Sequence, residues 1–189
     1  MSQRKWEIIS SEYVVESPWY RLRRDVCRLP DGTLIDSYYV REHAGFAVVF
    51  ALTRGGDVVF TRQYKHGFGD FVLELPAGAI ENGETPLACA RRELEEETGF
   101  VAPSFEHVTD LIADPTSSTG KLFLFLARDA EPNGVRSPDS SEDIETMLVP
   151  LGGVVNAVRA GRVCVQSHVA AIYTILDRLG LIRTKSSPP

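Results

Sequence analysis

The chain has 189 residues, 43% of them hydrophobic, and a net charge of −6 at pH 7, values typical of one ordinary globular domain with its own core. The acidic balance disfavours nonspecific binding to DNA, RNA or anionic membranes, but it is compatible with a small anionic substrate if metal ions supply positive charge. The three cysteines are scattered, and no signal peptide or apolar run of 18 residues occurs, which predicts a cytoplasmic protein without a membrane span.

The N-terminal part of the chain has the residue alternation of β-strands. Strands are predicted at residues 5–9, 13–16, 20–28 and 33–41. The last two flank Asp31-Gly32, a dipeptide that favours a tight hairpin turn. An isolated hairpin is marginally stable at best in water, so this N-terminal arm is expected to pack on another surface.

The remaining strands and helices alternate along the chain. Nearly continuous apolar runs at 46–52 and 58–64 predict two strands that are buried on both faces. Further strands are predicted at 71–75, 105–113, 121–127 and 144–149, and helices at 86–98, 151–160 and 167–179. Strands mixed with helices in this way favour a three-layered α/β domain. Four scattered histidines are interpreted as structural, and the long polar segment 129–143 is predicted as a functional loop.

The helix predicted at 86–98 has an unusual charge distribution. Thr85 is a good N-cap, Pro86 a good first helical residue, and Gly99 a good residue after the last turn. Four of the five residues before Thr98 are glutamates, namely Glu93, Glu95, Glu96 and Glu97. Each carboxylate there opposes the helix dipole by roughly 0.3–1 kcal/mol and repels the others. A nearby cation is therefore expected to offset this cost.

The spacing of these acids predicts a metal site. Glu93, Glu96 and Glu97 lie at i, i+3 and i+4, so their side chains share one helix face. Oxygen ligands suit Mg²⁺ or Mn²⁺ better than zinc, although a solvated acidic face is the alternative interpretation. Leu87, Ala90 and Leu94 are predicted to form a separate stripe that packs on a sheet.

Residues 78–100 match the Nudix box at each of its specified positions. These are Gly78, Glu84, Arg92, Glu93, Leu94, Glu96, Glu97, Gly99 and Phe100. Nine positions at fixed spacing are far more specific than a lone glycine motif. The chain therefore resembles the Nudix hydrolases, which cleave nucleoside diphosphates linked to another moiety. The resemblance implies an α/β/α sandwich with a mixed sheet over 43–183 and an N-terminal antiparallel β arm over 1–42. The terminal segment 184–189 is expected to be a disordered tail.

The resemblance assigns roles to the residues of the box. It implies that Glu93, Glu96 and Glu97 bind divalent metal ions, with the carbonyl of Ala77 as a further ligand. It also places Glu96, Glu97 and Arg92 in the catalytic machinery. Arg92 immediately precedes Glu93, and its planar guanidinium can hold a carboxylate through two parallel N–H donors. Glu84, in the loop before the helix, is its expected partner. Gly78, Glu84 and Gly99 are expected to shape the box.

Within this group the chain resembles the ADP-ribose pyrophosphatases and their nucleotide-sugar relatives. The arm, the segment Arg62-Gln63-Tyr64-Lys65 before Glu74-Leu75-Pro76-Ala77-Gly78, and Pro115 sixteen positions after Gly99 carry the likeness. It implies a homodimer in which the arm reaches the partner's active site. It further implies substrate-binding roles for Trp19, Tyr38, Gln63, Lys65 and Pro115. Plain packing of Trp19 and a strand-ending turn at Pro115 are the alternatives.

The segment 129–143 departs from the pattern of these relatives. They often place a catalytic glutamate two residues before a Glu-Asp-Ile sequence, where this chain has Ser140. A serine cannot act as that general base at its normal pKa. Asp139, Glu142 or a glutamate of the box is therefore expected to serve.

The predicted activity is hydrolysis of ADP-ribose to AMP and ribose 5-phosphate with Mg²⁺ or Mn²⁺. The substrate is a small molecule, and neither nucleic acid nor a membrane is an expected partner. The alternatives are a pyrophosphatase for GDP-sugars or other nucleotide sugars, and a Nudix domain that senses nucleotides without cleaving them. The intact box argues against the sensor.

Overall fold

The secondary structure comes from a computed structural model that describes residues 4–137 and 143–182. The strands within these residues are β1 (Glu7–Glu16), β2 (Arg21–Arg28), β3 (Leu34–Glu42), β4 (Phe46–Thr53), β5 (Asp57–Lys65), β6 (Asp70–Glu74), β7 (Ala77–Ala79), β8 (Ser104–Leu111), β9 (Leu122–Ala130) and β10 (Ile144–Pro150). The helices are α1 (Pro86–Thr98), α2 (Val154–Arg159), which follows a 3₁₀ turn at Leu151–Gly153, and α3 (Gln166–Arg178). The predicted tail at 184–189 lies outside the described residues.

The first compact unit holds the N-terminal arm, and comprises the residues up to Gly45 together with Asp114–Lys121. Its strands form an antiparallel sheet in the order β1-β2-β3. The predicted hairpin turn is confirmed, since Gly32 has a φ of +91° and its N–H donates to the carbonyl of Leu29 at 2.9 Å. The boundary predicted at residue 42 stays a prediction.

The prediction of two separate strands at 5–9 and 13–16 is wrong, because β1 runs through both. Register shifts on either side of Ser10 and Ser11 let the polar interruption stay within the sheet. Ser11 also donates to the buried carboxylate of Asp25 on β2 at 2.6 Å. The hydroxyl is therefore used within the sheet instead of ending the strand.

The second compact unit, Phe46–Ala113 with the residues from Leu122 onward, contains a mixed seven-stranded sheet. Its central order is β10-β5-β4-β9-β8, while β6 pairs with β5 and β7 with β4. The β4–β9 pair is parallel and the other pairs are antiparallel. Strand β7, at the start of the box, was not predicted because three small residues carry no strand pattern.

Two apolar clusters on opposite faces of this sheet give the three predicted layers. Val48 and Phe50 of β4 pack in one cluster with residues of α2 and α3, while Ala47 and Val49 pack in the other with residues of α1. The run at 46–52 is therefore buried on both faces, as predicted. No helix in the described ranges has the length and apolar character needed to cross a membrane.

The prediction that 58–64 is buried throughout is wrong for its second half. Burial in β5 ends at Thr61, and the strand continues with polar side chains at Arg62 and Gln63. Arg62 is paired with Glu145 of β10 at 3.3 Å and lies over the ring of Phe71. These contacts occur at the solvent, where charged side chains keep their hydration.

Helix α1 has the predicted bounds, and its predicted apolar stripe is confirmed at Ala90 and Leu94 but wrong at Leu87. The Thr85 hydroxyl accepts the N–H of Ala88 at 3.2 Å, and Gly99 adopts a φ of 73°. Ala90 and Leu94 are buried, as is the neighbouring Cys89, but Leu87 is 40% exposed. Leu87 instead lines an open apolar cleft of about 450 Å³ with side chains that include three phenylalanines of β8 and β9.

Candidate functional site

The guanidinium of Arg92 organises the acidic side of α1. It donates to both carboxylate oxygens of Glu84, at 2.9 and 3.0 Å, to Glu93 at 2.6 Å and to Glu96 at 3.1 Å. Hydrogen bonding to Glu84 raises the pKa of Arg92, and the same hydrogen bonds lower the pKa of Glu84. One cation therefore holds three carboxylates in fixed positions, as the adjacency of Arg92 and Glu93 led us to expect.

Gly78 makes room for one of these carboxylates. A Cβ built on Gly78 would lie 1.8 Å from an oxygen of Glu93, far inside van der Waals contact. Only a residue without a side chain lets the carboxylate rest against the backbone of β7 while it is also held by Arg92. The glycine that opens the box is thus a spatial requirement of Glu93.

Glu97 lies in the last turn of α1 and is only 5% exposed. Its carboxylate accepts the N–H of Ala77 at 3.0 Å. A buried carboxylate needs such donors, because its desolvation is otherwise costly. The expectation that the packing and acidic faces of α1 are separate is therefore wrong at Glu97, which is packed and acidic at once because the last turn lies against β7.

The chemistry of these donors fits a hard divalent cation, since Glu93, Glu96 and Glu97 offer only oxygen ligands. Within residues 4–137 and 143–182, no group of three His, Cys, Asp or Glu side chains converges closely enough to hold a metal ion. The positive charge beside Glu93 and Glu96 is the Arg92 guanidinium. The N–H of Ala77 points to Glu97, while a ligand role for its carbonyl remains a prediction.

A second arginine, which sequence reasoning missed, lies at the end of α1. Arg136 donates through Nε to the carbonyl of Glu97 at 3.1 Å, and the N–H of Ser137 donates to the carbonyl of Glu96 at 3.0 Å. The N–H of Val135 reaches the side chain of Glu95 at 3.2 Å. The segment thus caps the helix and places a cation at its negative end. A single arginine in a polar loop gave no signal for this role.

The cap also ties the polar segment 129–143, called the late loop below, to the acidic helix. The N–H of Ser137, the last residue described before the gap at 138–142, donates to α1, and Ile144 begins β10, which contacts α1. The general-base candidates Asp139 and Glu142 lie outside the described residues, and so does Ser140 between them.

Two further predicted site residues meet on β5. The ammonium of Lys65 lies 3.0 Å from the carboxylate of Glu74 and donates to the side-chain oxygen of Gln63 at 2.6 Å. Gln63 and Lys65 are two residues apart on one strand, so both project from the same face. The structure therefore joins them in one polar cluster.

The other predicted substrate residues belong to the unit of the arm. The Tyr38 hydroxyl donates to the carbonyl of Thr116 at 2.5 Å, beside Pro115, and the ring of Trp6 stands edge-on to Tyr38. Pro115 lies in a turn closed by Asp114, whose carboxylate accepts two backbone N–H groups. Trp19 is 86% exposed, so the alternative of plain packing beneath the arm is wrong within this chain.

Comparison with known proteins gives the family. Residues 41–162 match the family model described as NUDIX domain, and residues 6–40 match that of the nucleoside diphosphate sugar hydrolase N-terminal domain. The chain belongs to the Nudix family. Nudix proteins of this kind are hydrolases that use divalent metal ions, and the carboxylates arranged around Arg92 are those of the Nudix box.

Relatives with known names resemble this Nudix hydrolase over most of its length. It is 30% identical over 177 residues to the ADP-ribose pyrophosphatase of Mycobacterium tuberculosis, covering 93% of this chain and 85% of the relative. It is 30% identical over 156 residues to the ADP-ribose pyrophosphatase of Bacillus subtilis, with 82% and 84% covered. The methanol dehydrogenase activator of Bacillus methanolicus is 27% identical over 165 residues, with 87% and 89% covered.

A solved structure agrees with the fold of the whole chain. The crystal structure of an ADP compounds hydrolase superimposes with a TM-score of 0.84, covering 96% of this chain and 100% of that one, at 21% identity. At this identity the likeness establishes the Nudix fold with its N-terminal β arm, and the substrate has to be argued from the site.

Proposed function

We propose that this Nudix hydrolase cleaves the diphosphate bridge of ADP-ribose to give AMP and ribose 5-phosphate, with Mg²⁺ or Mn²⁺ as the cofactor. The observation that carries the proposal is the group of box carboxylates aligned by Arg92. The ADP-ribose pyrophosphatases to which the chain is similar support the choice of substrate. The match of residues 6–40 to a nucleoside diphosphate sugar hydrolase domain favours other nucleotide sugars as the second candidate class.

The box residues and Lys65 have distinct proposed roles. Glu93, Glu96 and Glu97 would hold the divalent ions, which neutralise the diphosphate and polarise water towards hydroxide when bound. Arg92 keeps Glu93 and Glu96 oriented, so the carboxylates need little reorganisation when they take up a cation. We assign phosphate or ribose contacts to Lys65, whose ammonium is partly exposed.

The first prediction concerns turnover. With Mg²⁺ or Mn²⁺ the enzyme is expected to release AMP from ADP-ribose, because the metal ligands and their orienting arginine are all present. A panel of ADP-ribose, ADP-sugars, GDP-sugars and UDP-sugars, each with and without either metal, measures the preference. Turnover only with GDP- or UDP-sugars would move the substrate to the second class. Tight binding without turnover of any compound would contradict the enzyme and favour a nucleotide sensor.

The second prediction concerns the general base. We propose that the late loop supplies it, through Glu142 first and Asp139 second, because Ser140 lacks a basic carboxylate. The hydrogen bond from the N–H of Ser137 to the carbonyl of Glu96 supports this, because it holds this part of the loop against the acidic helix. Glu142→Gln is expected to lower kcat by about 10²-fold with little change in KM. Single and double replacements of Asp139 and Glu142 with unchanged kcat would place the base within the box.

The third prediction concerns assembly. We propose a homodimer formed through the arm, because every residue of β1 is exposed and several of them are large apolar side chains. The exposed apolar residues of this strand are Ile8, Ile9, Tyr13, Val14 and Val15. An exposed apolar edge strand tends to be covered by another strand or surface. In a homodimer, the β1 strands of the two copies can cover each other. Sedimentation is expected to give twice 20.9 kDa, and a monomer at micromolar concentration would contradict the dimer.

In this dimer, Trp19 and Tyr38 are assigned to stacking on the base of the nucleotide. Trp19→Ala is expected to raise KM for ADP-ribose about tenfold, as loss of one stacking contact does, without lowering the melting temperature. Because the ring of Trp19 is exposed, its removal is expected to leave the melting temperature unchanged. An unchanged KM would remove Trp19 from the site.

The remaining parts of the proposal concern the cellular location and the class of substrate. A cytoplasmic location is supported by three free cysteines, of which Cys164 is exposed. A small-molecule substrate instead of a nucleic acid is supported by the net charge of −6.

A further inference from the structure

A buried histidine lies behind the polar cluster of β5. His168 is in the first turn of α3 and is 4% exposed. Its Nδ1 accepts the N–H of Leu75 at 3.1 Å, so the neutral ring carries its proton on Nε2. Burial lowers the pKa of His168 to about 4, so the imidazole is uncharged at neutral pH.

The protonated nitrogen points towards the predicted substrate residues. Nε2 lies 3.5 Å from one carboxylate oxygen of Glu74, and the other oxygen lies 3.0 Å from the ammonium of Lys65. Lys65 in turn donates to Gln63 at 2.6 Å. A continuous polar path therefore runs from a buried imidazole, through a mostly buried carboxylate, to a partly exposed ammonium.

The other nitrogen holds the strand that leads into the box. Beyond Leu75, the carbonyl of Pro76 accepts the N–H of Val49 at 2.9 Å, and the N–H of Ala77 donates to Glu97 at 3.0 Å. These successive residues are fixed by β4, α1 and, through His168, α3. The imidazole thus joins the Glu74–Ala77 segment to the helix layer on the far side of the sheet from α1.

We propose that His168 is a positioning residue for substrate binding, which fixes the carboxylate of Glu74 so that Glu74 presents the Lys65 ammonium in one orientation. The proposal rests on the proposed function in one respect, namely that Lys65 meets the substrate. A lysine ammonium on its flexible stem loses rotamer freedom when it is ordered, and a neighbour that orders it in advance removes this cost from binding. The imidazole and the Lys65 ammonium contact different oxygens of the Glu74 carboxylate, so the position of this carboxylate is set from two sides.

The two nitrogens can be tested separately with amide side chains. In His168→Asn the amide oxygen takes the place of Nδ1 and can accept from Leu75, but nothing takes the place of Nε2. In His168→Gln the amide reaches the place of Nε2, while the acceptor for Leu75 is lost. His168→Asn is expected to raise KM for ADP-ribose about tenfold, with kcat within about twofold, because the imidazole N–H that lies beside the Glu74 carboxylate is lost. The KM of His168→Gln is expected to be lower than that of His168→Asn. Its melting temperature is expected to be lower than that of His168→Asn, because the acceptor for the N–H of Leu75 is lost.

A double-mutant cycle with Lys65→Met tests the path itself. If His168 acts through Lys65, the effect of His168→Asn on KM is expected to disappear when Lys65 is already methionine. Additive effects would overturn the proposal, and so would an unchanged KM in His168→Asn. A merely structural histidine would lower the melting temperature in both variants without separating KM from kcat.

A readout without turnover keeps this test apart from the substrate proposal. The chain has four lysines, at 5, 65, 121 and 185, so the ¹⁵Nζ and ¹³Cε resonances of labelled lysine are few, and Lys65→Met identifies the one at 65. His168→Asn is expected to shift the Lys65 resonance and leave that of Lys121 unchanged, and the wild-type imidazole is expected to show an Nε2-protonated tautomer at pH 7.5. An Nδ1-protonated ring or an unmoved Lys65 resonance would overturn the positioning role, whether or not ADP-ribose is the substrate.

Discussion

Glu97→Gln and Glu93→Gln are each expected to lower kcat by about 10²- to 10³-fold, because each removes a negative metal ligand at nearly constant volume. Glutamine at 97 still offers an oxygen to the N–H of Ala77, so the fold is expected to survive. Its melting temperature is expected to stay level or to rise, since one negative charge is lost from the helix C-terminus. Steady-state kinetics over a range of Mg²⁺ and Mn²⁺ concentrations, with melting curves, measure both effects.

Glu95→Gln is the matched control for this pair. Glu95 lies in the same turn of α1 and carries the same charge, but its side chain accepts the N–H of Val135 and is not among the proposed ligands. Its replacement is expected to leave kcat and the metal dependence nearly unchanged. Near-normal turnover in Glu97→Gln, or an equally large loss in Glu95→Gln, would refute the assignment of the metal ligands.

Gly78→Ala is expected to reduce kcat by about 10²-fold, although it adds only a methyl group. The new Cβ would lie 1.8 Å from a carboxylate oxygen of Glu93, so this carboxylate has to leave its place beside Arg92. Because the obstructing atoms are the end of a flexible side chain, the fold can relax by moving that side chain alone. A displacement of about 1 Å in a group that holds reactants in place is sufficient for a loss of this size.

Gly152→Ala is the control for Gly78→Ala, since a Cβ at Gly152 would meet no atom within 4 Å. It is expected to leave kcat and the melting temperature unchanged. Gly78→Ala is expected to melt close to the wild type but to require more metal for half-maximal activity. Full activity in Gly78→Ala at low metal concentration would show that the position of Glu93 does not matter.

These experiments concern the part of the chain that the sequence predicts best. The bounds of α1 follow from Thr85, Pro86 and Gly99 alone, because caps act through local hydrogen bonds and backbone conformation. The hairpin at Asp31-Gly32 is local in the same way. The box residues are linked by helical spacing, so their common face could be predicted, and with it the contacts between Arg92 and its acidic neighbours.

Properties that depend on which surfaces meet were predicted less well. Leu87 has the spacing of a core residue, yet it lies in the first turn beside an open cleft and stays exposed. Glu97 has the charge of a surface residue, yet the last turn packs on β7 and buries it. Helical periodicity assigns a direction around the axis, but the depth of burial depends on what covers each turn.

By itself, the sequence determined the family, most of the elements and their order, the apolar run that buries β4 on both faces, and the acidic helix with its orienting arginine. All of these depend on residues close in the chain or on a motif of fixed spacing. Only the tertiary structure decided that Arg136 caps the acidic helix, that Gly78 makes room for Glu93, and that His168 lies beside Glu74. The partners in these contacts are 15 to 94 residues apart, as their numbers show. Nothing in local propensity or periodicity encodes such a distance, so these contacts arise only when the sheet brings its layers together.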